Sequence, residues 1–193
     1  NDNGTLKLTK AVSTDFINEM HKIGVKVVPF LSNHWDRNKG IKALENRVTL
    51  AQQIADAVKK YNLDGVNVDI ENVTEKERGI YTDFVRILRS KLPSNKEVSV
   101  AVAPNPYNAT KGWQGSYDYA SLAKYSDYLM IMAYDEHYQG GSPGPVASAS
   151  FVEASIKYAL QKVPKEKVVL GIPFYGRYWK NGESYGGYGI NAE

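Results

Sequence analysis

Five short segments of the chain are apolar at nearly every position and rich in β-branched residues. This composition predicts β-strands. Because the segments are apolar almost throughout, they indicate strands that are buried on both faces, as in a parallel sheet covered by helices. The five segments are residues 25–33, 64–72, 97–105, 127–135 and 167–176.

Segments with helical spacing of their apolar residues lie before and between these strands. Around Phe16, Val48, Ile80 and Val152 the apolar positions recur three or four residues apart, and a glycine or proline follows three of the four segments. Such spacing and stop signals predict helices. Residues 117–126 can form a shorter helix. The predicted fold class is therefore α/β, and strand starts roughly 30 to 40 residues apart indicate a (β/α)8 TIM barrel.

An open, doubly wound sheet alternates in the same way, but its GxGxxG turn after a first strand is missing here. The nearest stretch, YGGYGI at residues 185–190, predicts a glycine-rich loop. A barrel closes with about eight strands, more than are predicted. We therefore expect residues 1–193 to be part of a single barrel domain, a fragment that covers about strands 3 to 7.

One predicted strand carries polar residues. In LDGVNVDIEN (63–72), Asn67, Asp69 and Glu71 alternate with apolar residues. Strand side chains alternate between faces, so the three polar groups share one face, which in a barrel is the inner face. Burying an ionised carboxylate without partners is costly, so these groups need partners or a function. Glu71 stands at the carboxyl end of the strand, where barrel enzymes place their chemistry.

Two neighbouring carboxyl groups do not ionise independently, because the first charge raises the pKa of the second. One of them can then hold a proton near neutral pH. Cleavage of a glycosidic bond needs such a protonated carboxyl, since the sugar oxygen leaves poorly until it is protonated.

Composition narrows the classes of function. The chain has 193 residues, of which 42% are hydrophobic and 23% charged, as in a soluble globular domain. The net charge of +3 is spread along the chain, so we expect no nucleic-acid partner. No apolar run reaches the roughly 20 residues of a membrane span, so we expect no membrane insertion. Cysteine is absent and the three histidines are far apart, so we expect neither a metal site nor a cofactor.

Several motifs together resemble glycoside hydrolase family 18, the chitinase-type barrels. DGVNVDIE (64–71) is similar to the DGxDxDxE signature on the fourth strand of that family. MAYD (132–135) resembles its sixth-strand motif and GIPFYGR (171–177) its seventh, while VVPFLSN (27–33) stands where its third strand belongs. The longer stretches around these motifs are similar to the spore-cortex and sporulation glycosylases of spore-forming bacteria, which are peptidoglycan N-acetylglucosaminidases.

The resemblance implies retaining, substrate-assisted cleavage of β-1,4 bonds of N-acetylglucosamine. Glu71 would protonate the glycosidic oxygen while the 2-acetamido carbonyl of the sugar attacks the anomeric carbon, and would later activate the water that opens the oxazolinium ion. Asp69 would hold the acetamido N–H, and Tyr134 would donate its hydroxyl to the same group. Asp135 would fix the sugar at the cleavage point. No carboxylate nucleophile is needed.

One position departs from the family pattern, which usually has a further aspartate where this chain has Asn67. An amide cannot take up a proton, so we expect Asn67 to lower the pKa of Asp69 relative to a chain with a carboxylate there and to shift the pH optimum. Further candidates for contacts with the substrate are Asn67 itself, Asp135, and the cleft side chains Trp113, His137 and Tyr175.

The expected partner is a polysaccharide, peptidoglycan or a chitin-like glycan, bound by a monomer. We expect the protein in the spore or cell wall, or outside the cell, of a spore-forming bacterium. Two alternatives stay open, a chitinase or chitooligosaccharide hydrolase and a non-catalytic glycan-binding barrel. Lectin-like relatives usually lose the acid, so Glu71 favours an enzyme.

Overall fold

The computed structural model describes residues 1–10 and 12–191. Within this part of the chain, five parallel strands form one sheet in chain order, and two antiparallel strands form a hairpin. The sheet strands are β1 (Phe30–Ser32), β2 (Gly65–Asp69), β3 (Glu97–Val102), β4 (Tyr128–Ile131) and β5 (Val168–Leu170), and the hairpin strands are β6 (Tyr175–Tyr178) and β7 (Tyr188–Asn191).

Helices precede and separate the strands. Ser13, Asp36, Asp118 and Ser148 cap four of them by accepting a hydrogen bond from a backbone N–H of the first turn, which satisfies donors that lack a partner within the helix. The helices are α1 (Thr14–Lys22), α2 (Arg37–Glu45), α3 (Arg47–Lys60), α4 (Arg78–Lys91), α5 (Gly112–Gly115), α6 (Tyr119–Tyr125) and α7 (Ala149–Lys162), and a 3₁₀ turn covers Lys165–Lys167.

The structure confirms the predicted α/β class and is consistent with part of a TIM barrel, since neighbouring strands are parallel and follow one another in the chain. Two details of the prediction are wrong. The predicted strand 167–176 is two strands, separated by a stretch that contains Pro173, which lacks a backbone donor for a ladder. Residues 185–190 are not a loop throughout, because Tyr188 and Ile190 pair with β6.

The sheet has one apolar face and one mixed face. Val66, Val68 and Ile70 are buried in the hydrophobic core that the helices share with the sheet. Asn67 lies opposite Ser99 of β3 in the ladder, and Asp69 lies opposite Ser32 of β1. The predicted inward set of polar residues therefore lies on the face of the sheet away from the helical core.

No helix in residues 1–10 and 12–191 combines the length and the apolar character that crossing a membrane requires.

Candidate active site

Asp69 and Glu71 lie at the carboxyl end of the sheet. Asp69 is the last residue of β2, and Glu71 follows two positions later on the same side of the chain. Both side chains are half-buried, and the intervening Ile70 is buried in the core. The alternation in the sequence therefore separates the two carboxyl groups from the apolar core while leaving them beside each other.

Burial, followed by the charges of Asp69 and Asp135, raises the pKa of Glu71 to about 7. Burial also raises the pKa of Asp69, with His34 acting in the opposite direction. Glu71 can therefore hold a proton at neutral pH. Among the described residues, Asp69 Oδ1 is a buried oxygen without a hydrogen-bond partner, which leaves it available to accept a donor from a ligand.

Side chains from three other elements hold the backbone between the two acids. Tyr117 Oη donates to the carbonyl of Ile70 over 2.9 Å, and the N–H of Ile70 donates to Tyr81 Oη over 3.3 Å. Asn33 accepts from the N–H of Glu71 over 2.9 Å and donates to its carbonyl over 2.8 Å. Sequence reasoning assigned no role to these three residues.

The loop after Glu71 is also tied down. Asn72 adopts a left-handed conformation with φ of 60°, which asparagine tolerates better than most residues. Its Nδ2 donates to the carbonyl of Trp35 over 2.8 Å, and its own carbonyl accepts from Arg37 Nε over 2.7 Å. The Glu71 backbone is therefore held on both sides.

Tyr134 stands after β4 and is half-buried. Its ring contacts Tyr175 edge-on with centroids 6.3 Å apart, and a Cβ at Gly171 would lie only 2.8 Å from it. Burial raises the pKa of Tyr134, and the charges of Asp69, Glu71 and Asp135 raise it further. The hydroxyl of Tyr134 therefore stays protonated and can donate a hydrogen bond.

Asp135 binds an arginine of the seventh-strand motif. Its backbone φ is 55°, an uncommon conformation for a residue other than glycine. Arg177 Nε and Nη2 donate to Asp135 Oδ1 over 3.0 and 2.8 Å, and the arginine side chain is only 14% exposed. Burial, followed by a hydrogen bond to Asp135, raises the pKa of Tyr175. The motif after β4 (132–135) therefore contacts the motif that contains the start of β6 (171–177) through Asp135 and Arg177.

Asn67 belongs to a polar chain within the sheet. Its Nδ2 donates to Ser99 Oγ over 2.9 Å, and Ser99 Oγ donates to Glu97 Oε1 over 3.2 Å. Glu97 Oε1 also accepts from Tyr128 Oη over 2.7 Å. The amide at position 67 is thus held by protein groups across β2, β3 and β4.

Trp113 and His137 contact residues other than Asp69 and Glu71. Trp113 packs edge-on against Trp35 with centroids 4.9 Å apart, and its Nε1 donates to Tyr117 Oη over 2.9 Å. His137 Nδ1 is 2.9 Å from the carbonyl of Ser142 in its own loop. Tyr134, Asp135 and Tyr175 contact one another near Glu71, and Trp113 is linked to the backbone around Glu71 through Tyr117 and Trp35.

Metal ligation is not evident in this region or elsewhere in residues 1–10 and 12–191, where no group of three or more His, Cys, Asp or Glu side chains is placed to hold a metal ion.

The chain is similar to a family of glycosyl hydrolases and to several curated proteins. The family model for glycosyl hydrolases family 18 matches residues 3–192. An uncharacterized glycosylase, YvbX, of Bacillus subtilis (strain 168) is 33% identical over 141 residues, which are 72% of this chain and 40% of that protein. The cortical fragment-lytic enzyme of Bacillus anthracis is 30% identical over 128 residues, which are 66% of this chain and 30% of that protein.

Solved structures show the same architecture. The crystal structure of YdhD of Bacillus subtilis, a sporulation-specific glycosylase by name, matches with a TM-score of 0.90 and 26% identity over 99% of this chain and 67% of that chain. A chitinase from Bacteroides thetaiotaomicron matches with a TM-score of 0.80 and 26% identity over 93% of this chain and 58% of that chain. The matched part of the chain spans 40% and 30% of the length of these two curated relatives.

Proposed function

The chain belongs to glycosyl hydrolase family 18, and from this premise we propose that residues 1–193 are part of a single catalytic barrel of a retaining glycosidase. The bond cleaved is the β-1,4 linkage of N-acetylglucosamine in peptidoglycan of the spore cortex or cell wall. The observation that carries the proposal is the half-buried Glu71 beside Asp69 at the carboxyl end of β2, where burial and the charges of Asp69 and Asp135 raise the pKa of Glu71 to about 7.

Glu71 acts first as the acid. At neutral pH a carboxyl group with a pKa of about 7 exists in both forms, so it can give its proton to the glycosidic oxygen and later, ionised, take one from water. The 2-acetamido carbonyl of the sugar attacks the anomeric carbon as the leaving oxygen takes the proton, which gives an oxazolinium ion. Water then opens this ion with the configuration retained, without an enzyme carboxylate as nucleophile.

Asp69 and Tyr134 orient the acetamido group. Asp69 Oδ1 is buried without a protein partner, so an acetamido N–H would satisfy it, and the negative charge of Asp69 would stabilise the positive charge that develops on that nitrogen. The protonated hydroxyl of Tyr134 donates to the acetamido oxygen. The interaction with Asp69 strengthens as the oxazolinium ring closes and the nitrogen becomes more positive, so it favours the transition state over the bound substrate. The hydrogen bond from Tyr134 positions the oxygen for attack.

Asp135 holds the sugar at the cleavage point. Arg177 donates two hydrogen bonds to Oδ1 of its carboxylate, and Tyr175 also hydrogen-bonds to Asp135. A carboxylate can accept about four hydrogen bonds, so a sugar hydroxyl can add one more. Tyr175, Trp113, His137 and Asn67 are further proposed contacts with the substrate.

Peptidoglycan is favoured over chitin by the names of the Bacillus relatives, one a cortical fragment-lytic enzyme and another a sporulation-specific glycosylase. The same names support a location in the spore or cell wall, or outside the cell, of a spore-forming bacterium, where the protein would act as a monomer. Chitin is the second candidate substrate, because a chitinase shares the fold with a TM-score of 0.80. A non-catalytic glycan-binding barrel would not need the raised pKa of Glu71.

Digestion of cortex peptidoglycan and of chitooligosaccharides by the full-length protein, followed by mass spectrometry of the new reducing ends, tests the proposal. N-acetylglucosamine at those ends is the expected result. Muramic acid there would reverse the bond assignment. The absence of products from both polymers would contradict the enzymatic role.

A further inference from the structure

The backbone changes its hydrogen-bonding partners between the two acids. The ladder of β2 ends at Asp69, and the four polar backbone groups of residues 70–71 are bound by side chains instead. Tyr81 and Tyr117 bind the N–H and the carbonyl of Ile70, and Asn33 binds both groups of Glu71. We call Asn33, Tyr81 and Tyr117 the peptide clamp.

The peptide clamp is fully inside the protein. Asn33 is 5% exposed, Tyr81 0% and Tyr117 1%. In such a low-dielectric setting hydrogen bonds are electrostatically strong and an unpaired group is costly, so the clamp resists displacement of the backbone it holds. The three residues come from the loop after β1, from α4 and from the segment before α6, so three separate elements fix one short stretch of chain.

The direction of each bond in the clamp is determined. Trp113 Nε1 donates to Tyr117 Oη, so the proton of Tyr117 is directed to the carbonyl of Ile70. Asn33 Nδ2 also donates to the carbonyl of Asp36 over 2.8 Å, which fixes the orientation of its amide. Because peptide units are planar, holding the N–H and carbonyl groups on both sides of the Glu71 Cα fixes the direction in which its side chain leaves the backbone.

We propose that Tyr117, Tyr81 and Asn33 are positioning residues that aim the Glu71 carboxyl at the glycosidic oxygen and hold it beside Asp69. This inference rests on the proposed function. The clamp residues touch the Glu71 and Ile70 backbone and act only through it. Since a displacement of about 1 Å in a catalytic group can cost on the order of a hundredfold in rate, loss of one clamp bond should slow the reaction without weakening binding.

The chain offers a matched control for the test. Tyr119 is also buried, at 2% exposed, and its hydroxyl donates to the carbonyl of Ala103 just beyond β3. Tyr117→Phe and Tyr119→Phe therefore each remove one buried hydroxyl from one backbone carbonyl at the same end of the sheet. A merely structural role predicts the same outcome for both variants. Tyr117→Phe also removes the acceptor of Trp113 Nε1, whereas Tyr81→Phe removes a clamp hydroxyl that does not bind Trp113.

In the full-length protein, Tyr117→Phe should lower kcat by about tenfold to a hundredfold with KM nearly unchanged, while Tyr119→Phe keeps the kcat of the wild type. The ¹³C resonance of the Glu71 carboxyl, assigned with Glu71→Gln, should show a lower pKa in Tyr117→Phe, because a loosened carboxyl is better solvated. Equal kcat and equal Glu71 titration in the two variants would overturn the clamp.

The titration needs no turnover, which separates the two hypotheses. A wild type that cleaves no glycan but shows the shift in Tyr117→Phe would contradict the proposed function and support the clamp. If the wild type is active and Tyr117→Phe changes neither kcat nor the Glu71 titration, the proposed function would be supported and the clamp contradicted. If Tyr117→Phe does not fold, Tyr81→Phe removes the acceptor of the Ile70 N–H and gives the same test.

Discussion

The two faces of β2 differ in burial. The outer face, which packs on the helices, carries Val66 and Val68, which are 4% and 0% exposed. The inner face, away from the helices, carries Asn67 and Asp69, which are half-buried. The outer pair gains stability by leaving water. The inner face contains a carboxylate whose pKa burial raises, so its charged form is unfavourable there. The outer face of β2 thus stabilises the fold. The buried carboxylate on the inner face destabilises it, and the chemistry is proposed to occur there.

Substitutions on the inner face should mainly change the reaction rate, and substitutions on the outer face should mainly change the free energy of unfolding. Substitutions on the two faces, ordered by the size of the expected effect, can therefore test the contrast.

Glu71→Gln should have the largest effect. It keeps the shape of the side chain but removes the transferable proton, so kcat should fall by about a thousandfold or more, with binding of a chitooligosaccharide retained. Initial rates and isothermal titration calorimetry give the two quantities. A variant with the activity of the wild type would remove Glu71 from the role of the acid.

Asp69→Asn should lower kcat by about a hundredfold, because the charge that stabilises the acetamido nitrogen is lost. It should also lower the pKa of Glu71, since the Asp69 charge is one of the causes that raise it. The basic limb of the profile of kcat/KM against pH, where the protonated acid is lost, should therefore move to lower pH. A limb that stays in place would show that the two carboxyl groups are not coupled.

Val68→Ala tests the outer face. It removes two methyl groups from a fully buried site, and we expect a loss of about 2 kcal/mol in the free energy of unfolding. Because the side chain points away from the carboxyl groups, the pH profile of the folded enzyme should not change. Urea denaturation measures the first quantity and kinetics the second. A large fall in kcat at full folding would contradict the division between the faces.

Asn67→Asp should have the smallest effect. It places a further carboxylate beside Asp69 and replaces the amide that donates to Ser99. Like charges raise each other's pKa, so the pH profile should move to higher pH by less than about one unit. An unchanged profile would count against coupling along this face.

Much of this contrast is readable in the sequence, because strand alternation is a local property. The alternation of residues 66–71 alone predicted which side chains face the core, and the order of the five strands followed from helical and strand spacing. The clamp was not predictable in this way. Tyr81 lies in an apolar helical stripe where it looks like a core residue, and the partners of Asn33 and Tyr117 are 38 and 47 residues away along the chain. Such long-range contacts leave no periodic signal.

The hairpin was missed for a related reason. Residues 188–191 are exposed and pair with β6 through backbone hydrogen bonds, so their side chains carry no alternating pattern of burial. Glycines in that stretch made a loop the better prediction from sequence.

The most direct test of the central claim is the titration of the Glu71 carboxyl in the full-length wild-type protein, followed by ¹³C NMR. The structure predicts a midpoint near 7, raised from the ordinary 4.5 by burial and by the charges of Asp69 and Asp135. A raised pKa also means that the contribution of Glu71 to folding stability is full below pH 4.5 and is lost as the pH rises through about 7. A midpoint near 4.5 would contradict the assignment of Glu71 as the proton donor.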